Sequence, residues 1–325
     1  MKICVFGAGA IGGLIAARLA RVKGVDVSVV ARGATLDAIR RNGLQIVDCT
    51  SCERVAVAVT GDPRELGVQD YVFVTVKSQQ FTPSLGGIAE LIGPETVVIP
   101  PTTTIPFWYF HELSGPHRDR HLETIDPGQA QWNAIGPTRV LGCVFRVAAE
   151  SPGPGVVRQT GSYARLPIGE PDGTRSIRAA RLSEVMSRAG FESPVVSDIR
   201  SWIWHKMISS LCWNPLAVLT MATWGTLARD PSVHLLARRM MDEADAVASA
   251  LGGTVPLSIE ERMSAPLSAP NHKMSMLQDL ENGRPLEYAP ILESFTSMRD
   301  VAQIVTPTID EVYALLKLRA ASTTG

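Results

Sequence analysis

The sequence predicts an α/β fold, in which an N-terminal Rossmann-type domain on a parallel sheet is followed by an all-helical C-terminal domain. Three observations carry this expectation. The first is the stretch Lys2 to Gly13, where the apolar run Ile3-Cys4-Val5-Phe6 leads directly into glycines at positions 7, 9 and 12. The second is a series of further strand signals: the valine-rich 25–30, and 71–76 and 97–99, the last two in the form taken by buried strands. The third is a change of period. Strand signals stop after the turn-rich Gly169-Glu-Pro-Asp-Gly173, and from Ser176 onward the pattern is helical. At 325 residues the length suits about two domains. The boundary is expected at 171/172, giving domains over 1–171 and 172–325.

The first strand and its turn have the clearest physical content. Gly7, Gly9 and Gly12 have the G-x-G-x-x-G spacing, and Leu14 to Val22 continues as an amphipathic helix. Gly7 permits the tight turn, Gly9 lets the backbone approach a pyrophosphate, and Gly12 lets the helix pack closely on the strand. Ala10 and Ile11 lie between the last two glycines, at the helix N-terminus, where unpaired N–H groups and the helix dipole favour negative charge. The motif alone is weak. Its position after a strand, before a helix and ahead of a second strand makes it a dinucleotide site.

The second strand, Val25 to Val30, ends at Ala31-Arg32-Gly33. An acid commonly stands here to bind a ribose 2′-hydroxyl; Arg32 instead suits a 2′-phosphate. The expected cofactor is therefore NADP(H). Leu36 to Asn42 reads as a short helix stopped by Gly43, and Leu44 to Val47 with Val55 to Val59 as a hairpin or paired strands. Tyr71 to Val76 is another buried strand that delivers Lys77 at its carboxyl end, and Val97 to Ile99 delivers Thr102-Thr103-Thr104. Ligands of doubly wound sheets bind outside the carboxyl ends of the strands. Lys77 and the threonine run are accordingly expected to face cofactor and substrate.

Pro106 to Leu113 reads as a short aromatic helix. His111, His117 and His121 follow without a helical register, so they read as loop histidines and no metal is expected. Val140 to Val147, Val156 to Thr160 and Ala164 to Ile168 read as later strands of the same sheet. In the second domain, helices are expected over 177–189, 197–220, 231–251 and 308–320. Ser275-Met-Leu-Gln278 fits a capping box that opens another helix, stopped at Asn282-Gly283, and Pro285 is placed to start the next.

Bulk properties narrow the function. Lys and Arg number 31 against 32 Asp and Glu, a net charge of −1, which offers no electrostatic attraction to nucleic acid or an anionic membrane. No apolar run approaches the roughly 18 residues of a membrane span. Gly7 to Gly13 interrupts the first apolar segment, so a signal peptide is not expected and a cytoplasmic enzyme is. Five cysteines (Cys4, Cys49, Cys52, Cys143, Cys212) are an odd number in a long chain, unlike a disulfide framework. Cys49 and Cys52 have C-x-x-C spacing without a second pair, and read as a loop coincidence.

The long apolar helix carries the second set of candidates. Lys206, Ser210 and Asn214 are spaced i, i+4, i+8 and so share one face. An ammonium among Trp202, Trp204, Leu211 and Trp213 needs water or a partner. A carbonyl oxygen becoming an alkoxide is such a partner: the lysine can polarise it and donate a proton. A snorkelling surface lysine is the alternative on spacing alone. Ser275 and Glu287 form the last patch; on their own they need do no more than cap a helix or complement its dipole.

Together these pieces resemble the ketopantoate reductase (2-dehydropantoate 2-reductase) family. The resemblance rests on GAGAIGG at the start, Val76-Lys77-Ser78, Ile105-Pro-Phe-Trp-Tyr-Phe110, Trp204-His-Lys-Met207 with Asn214-Pro215, and Ser275-Met-Leu-Gln-Asp279 followed by Glu287. They span nearly the whole chain in order. The resemblance implies an NADPH-dependent reductase of a small 2-oxo acid, ketopantoate being the family's substrate on the way to pantothenate, with cofactor and substrate in a cleft. It implies Lys206 as general acid and Glu287 as the carboxylate that binds and orients substrate. Ser275 becomes the hydroxyl for the substrate carboxylate, Asn214 and Ser210 further site groups, and Lys77 a lysine near the nicotinamide ribose. A homodimer through the helical domain is also implied.

Two positions depart from the family pattern. Gln-Asn-Gly usually precedes Ile-Pro, and here Thr102, Thr103 and Thr104 stand there, with Thr103 at the asparagine's place. Asparagine often follows the lysine by one turn, and here it is Ser210. Both changes keep hydrogen-bonding capacity and lose an amide. Reduction of a different carbonyl or imine, or a non-redox role such as a cyclase or binding protein, are the alternatives. Retention of Lys206 and Glu287 favours proton-transfer chemistry.

Overall fold

A computed structural model describes residues 1–47 and 52–322. The chain forms two compact units, Met1–Thr102 with Pro106–Ile199, and Thr103–Ile105 with Arg200–Gly325.

The strands of the first unit, in chain order, are β1 (Lys2–Phe6), β2 (Asp26–Val30), β3 (Leu44–Val47), β4 (Cys52–Val55), β5 (Ala58–Thr60), β6 (Tyr71–Val74), β7 (Val97–Ile99), β8 (Gly142–Cys143), β9 (Arg146–Gly153), β10 (Val156–Arg165) and β11 (Ile168–Gly169). The principal sheet has the order β5-β2-β1-β6-β7 and every pairing in it is parallel. The central β1 is covered on both faces, with Ile3, Cys4 and Val5 fully buried. That explains why its sequence is apolar without alternation. Helix Ala10–Leu19 buries Leu14, Ile15, Ala16, Ala17 and Leu19.

The later strands do not join that sheet, contrary to the sequence expectation. β9 and β10 pair antiparallel, β10 pairs parallel with β3, and β4 completes a separate sheet of order β4-β3-β10-β9. β8 and β11 form a small two-stranded sheet, and Val140 touches the principal sheet through one bridge to Val98. The reason is the tight turn between β9 and β10. A hairpin joins antiparallel strands, whereas extending a parallel sheet needs a crossover connection. This hairpin packs on helix Ala10–Leu19 instead; a Cβ on Gly13 would lie 2.6 Å from Val157 Cγ2.

The first unit also continues past the expected boundary at 171/172. Helix Ile177–Arg188 contributes Ala179, Leu182, Val185 and Met186 to the core that contains Ile3, Leu14 and Phe73. Its helical period marks secondary structure and says nothing of which core it fills. A second correction concerns 106–113, which forms successive turns with bonds such as Tyr109 N–H to Pro106 O and His111 N–H to Trp108 O, not a helix. Phe107, Trp108, Tyr109 and Phe110 are all buried, a consecutive burial that no single helix face provides.

The second unit contains the helices 200–220 (the body of Ile199–Thr220), Trp224–Arg229, Pro231–Ala250, Ile259–Ser264, Ser275–Glu281, Tyr288–Ala302 and Pro307–Ala321. The long helix is central. Ile203, Trp204, Met207, Ile208, Leu211, Cys212, Trp213, Ala217 and Val218 are fully buried, as expected of a helix apolar all round. Pro231 occupies the first turn of its helix, and Asp230 caps it by accepting from Ser232 and Val233 N–H. A full capping box forms at Ser258 and Glu261, not at Ser275. Helix Ser275–Glu281 has Met274 as its N-cap, so Ser275 lies one position too late to cap it. Pro285 likewise precedes its helix, which starts at Tyr288 behind Glu287, because Arg284 is held back by Asp279 through both backbone and side chain.

Candidate active site

The glycine turn lies at the carboxyl end of β1, beside the same ends of β2 and β6. Gly7 has φ of +107°, and its N–H donates to Val30 O at 2.9 Å. The three glycines answer to different surroundings. A Cβ on Gly7 would stand 2.9 Å from Val76 Cγ1, and one on Gly12 would stand 2.0 Å from Gly7 O and 2.3 Å from Thr75 Oγ1. A Cβ on Gly9 would meet nothing within 4 Å. Gly9 therefore faces open space and leaves its backbone approachable.

The first helical bond is Gly13 N–H to Gly9 O at 2.8 Å. The N–H groups of Ala10, Ile11 and Gly12 thus precede the helical ladder and lack acceptors within it. Gly9 provides no side-chain cap, and the first turn holds no acid. Orphan donors, a helix dipole and an open backbone suit a pyrophosphate. The residues fit the nucleotide expected from sequence.

Arg32 follows β2 as N-cap of helix Gly33–Asn42 and is exposed. Lys77 follows β6 as N-cap of Ser78–Phe81 and is half-buried. The parallel sheet therefore places Gly7, Arg32 and Lys77 beyond the carboxyl ends of three adjacent strands. Thr75, which sequence reading passes over, stands among them: its hydroxyl donates to Gly7 O at 2.7 Å. The signal available is a polar residue ending an apolar strand next to a glycine turn.

The threonine run needs correction. Thr102 does not face outward for a ligand; it is 3% exposed, and its hydroxyl donates to Cys143 O at 2.8 Å. Thr103 and Thr104 are half-buried and belong to the second unit.

In that second unit, Lys206 is half-buried on the long helix, while Ser210 and Asn214 below it on the same face are buried. The Asn214 amide is engaged at both ends. Nδ2 donates to Ser210 O at 3.0 Å, and Oδ1 accepts from Met276 N–H at 3.1 Å and from the Ser275 hydroxyl at 3.5 Å. Two motif pieces separated by 61 residues are thereby joined: the lysine-bearing helix and the start of Ser275–Glu281. The Ser275 hydroxyl turns to Asn214 rather than to its own helix, and Gln278 Nε2 donates to Lys273 O. Glu287 is half-buried at the N-cap of Tyr288–Ala302, with φ −88° and ψ 29°.

The other candidates stay apart. His121 Nε2 is 2.7 Å from Asp126 O, and the His117 ring lies against Phe110. Among the described residues no group of His, Cys, Asp or Glu could hold a metal ion. Cys4, Cys143 and Cys212 are buried and Cys52 is exposed; burial pushes the Cys4 thiol up to about 12. Cys49 lies outside the described residues, as does any judgement on its pairing with Cys52. No described helix is long and apolar enough to cross a membrane.

Comparison with known proteins agrees with the fold. The family model "Ketopantoate reductase PanE/ApbA" matches residues 3–101, and "Ketopantoate reductase PanE/ApbA C terminal" matches residues 198–320. A 2-dehydropantoate 2-reductase from Mesorhizobium japonicum is 42% identical over 317 residues, covering 98% of this chain and 97% of that protein. A crystal structure of a Ralstonia solanacearum protein, provisionally named a ketopantoate reductase, has a TM-score of 0.89 at 35% identity, covering 99% and 98% of the two chains. The ternary structure of D-mandelate dehydrogenase with NADH and anilino(oxo)acetate shares the fold, with a TM-score of 0.84 at 18% identity over the full length of both chains. By its two matched models and its full-length relative, the chain belongs to the ketopantoate reductase family.

Proposed function

We propose that the chain is an NADPH-dependent reductase of a small 2-oxo acid, with ketopantoate as substrate and pantoate as product. The observation that carries this reading is the Asn214 bracket, which holds the Ser275 hydroxyl against the helix that bears Lys206. A proton donor and a carboxylate-binding hydroxyl on one rigid support are what a 2-oxo acid requires. NADPH, when bound, supplies the hydride. The Lys206 ammonium hydrogen-bonds the 2-oxo oxygen, draws charge toward it and gives a proton as the alkoxide forms. Glu287 orients the substrate, the Ser275 hydroxyl turns its one proton from the long 3.5 Å bond to Asn214 onto the substrate carboxylate, and Asn214, Ser210 and Thr103 supply further polar contacts.

The first unit holds the cofactor through Gly7, Gly9, Ala10, Ile11 and Gly12, with Lys77 toward the nicotinamide ribose. Arg32 selects NADPH by pairing with the 2′-phosphate. D-mandelate dehydrogenase, which shares the fold, was solved with NADH, so the titration compares both nucleotides. The same reading makes the enzyme a cytoplasmic homodimer, its helical domain contributing the contact; sedimentation of the purified protein tests that.

A second reading keeps hydride chemistry on a different carbonyl or an imine. It is favoured by the loss of the amide at Thr103 and by the commitment of the Thr102 hydroxyl to Cys143. The deciding experiment measures NADPH and NADH consumption by purified protein with ketopantoate, other 2-oxo acids, ketones and imines. Turnover of ketopantoate above all others supports the first reading. Preference for another compound supports the second, and no turnover with either nucleotide rejects both.

A further inference from the structure

We infer that Thr75 is a positioning residue for the nucleotide turn: its hydroxyl holds the Gly7 carbonyl away from the phosphate-binding side. This rests on the proposed cofactor reading and extends it to a residue outside the glycine motif. The two peptide groups that flank the Gly7 Cα are each anchored. Its N–H donates to Val30 O at 2.9 Å, and its carbonyl accepts from Thr75 Oγ1 at 2.7 Å. Thr75 is itself fixed, since its N–H donates to Phe6 O at 2.9 Å in line with the β1–β6 pairing.

The consequence is electrostatic. A trans peptide sets its C=O and the following N–H on opposite sides, so anchoring Gly7 O also fixes the direction of Ala8 N–H. Glycine at φ +107° lacks the steric barriers that hold other residues in one conformation. Left unanchored, the Gly7–Ala8 peptide could rotate and turn a carbonyl oxygen toward the phosphates, replacing a donor with a repelling partial charge. The Thr75 hydroxyl prevents that rotation.

It also gives Gly12 a second reason to be glycine. A Cβ there would lie 2.3 Å from Thr75 Oγ1 as well as 2.0 Å from Gly7 O. The place that a side chain would take is already filled by the hydroxyl and the carbonyl that it holds. Gly7, Gly12 and Thr75 form one interlocked unit, two members of which belong to the motif.

The test compares Thr75→Val, which keeps shape and removes the donor, with Thr75→Ser, which keeps the hydroxyl. Thr96→Val is the control. Thr96 makes an equivalent buried bond, Oγ1–H to Gln69 O at 2.7 Å, beside the amino end of β7. NADPH affinity is read by direct titration, and the melting temperature of each nucleotide-free protein is measured alongside. We expect Thr75→Val to weaken NADPH binding about tenfold, the scale of one lost hydrogen bond. Thr75→Ser should stay within about threefold of wild type, and Thr96→Val should bind NADPH normally even if it melts as low as Thr75→Val. Equal affinity in Thr75→Val and wild type would overturn the inference, as would equal losses in the two valine variants. Wild-type protein that binds neither NADPH nor NADH would overturn the cofactor reading itself, an outcome separate from the other two.

Discussion

The nucleotide turn of the first unit and the lysine helix of the second present their chemistry by different means. The turn works through backbone: three glycines, orphan N–H groups and a carbonyl held out of the way. The helix works through side chains, with Lys206, Ser210 and Asn214 one turn apart and Ser275 bonded across from another helix. A backbone site is specified by what is absent, because any Cβ at Gly12 collides. A side-chain site is specified by what is present, and one replacement can remove its chemistry while leaving its support intact.

The largest effect should therefore follow from loss of the one side chain that donates the proton. Lys206→Ala removes an ammonium from a half-buried position on a helix whose buried residues are unchanged. It should lower kcat about 10²- to 10⁴-fold, the range for general acid–base catalysis, with NADPH affinity near wild type. Single-turnover kinetics beside a binding titration would check this; near-normal turnover on the best substrate would remove Lys206 from its assigned role.

Arg32→Ala probes the one side chain on which the backbone site depends for selectivity. The loss expected is about 1.5–3 kcal/mol in NADPH binding, the worth of a hydrogen bond to a charged group, or about 10- to 150-fold. NADH, without the 2′-phosphate, should bind almost unchanged. Equal losses for both nucleotides would show that Arg32 does not read the phosphate.

Gly12→Ala and Gly9→Ala sharpen the distinction inside the turn itself. The added methyl at Gly12 meets a backbone oxygen that cannot move without breaking its bond to Thr75. Overpacking of this kind costs about 1–3 kcal/mol, so the nucleotide-free protein should melt lower. At Gly9 the methyl has room in the nucleotide-free protein. Its melting temperature should hold while NADPH affinity falls, because the methyl stands where the pyrophosphate would approach. A Gly9→Ala variant that binds NADPH normally would move the phosphates elsewhere.

How much of this is legible in the sequence follows the same division. G-x-G-x-x-G marks the turn because glycine carries positional meaning on its own. Thr75 escapes because a threonine at a strand end has no spacing signature; only the folded chain brings it 2.7 Å from Gly7 O. Apolar patterning finds β9 and β10 but cannot name their partners, so sequence alone puts them in the wrong sheet. Helical period finds the long helices and misses Trp224–Arg229 and Ile259–Ser264, since six residues barely complete a repeat. In the second unit, the i, i+4, i+8 spacing puts Lys206, Ser210 and Asn214 on one face. That Asn214 reaches Met276 and Ser275, more than 60 residues away, requires tertiary structure.

The smallest effect expected concerns substrate choice, and it falls on Thr103. The family pattern has asparagine here, and threonine offers one hydroxyl donor where the amide offers two. Restoring Gln-Asn-Gly across 102–104 would be a poor test. Thr102 is buried with its hydroxyl on Cys143 O, and a glutamine there would overpack the site and displace the hydroxyl that satisfies that carbonyl. Thr103→Asn alone changes a half-buried position and spares Thr102. If the missing amide limits ketopantoate reduction, the variant should raise kcat/KM for ketopantoate about 5- to 10-fold, the worth of one hydrogen bond, without changing NADPH affinity. The rise should appear mainly in KM, because the contact would be made in the bound substrate as well as in the transition state. An unchanged or lower kcat/KM would show that threonine already suits the natural substrate. Combined with efficient ketopantoate turnover by the unaltered protein, that result would mean the contact made elsewhere by asparagine is supplied here by another residue. Combined with poor turnover, it would direct the search toward a substrate with no group for an amide to meet.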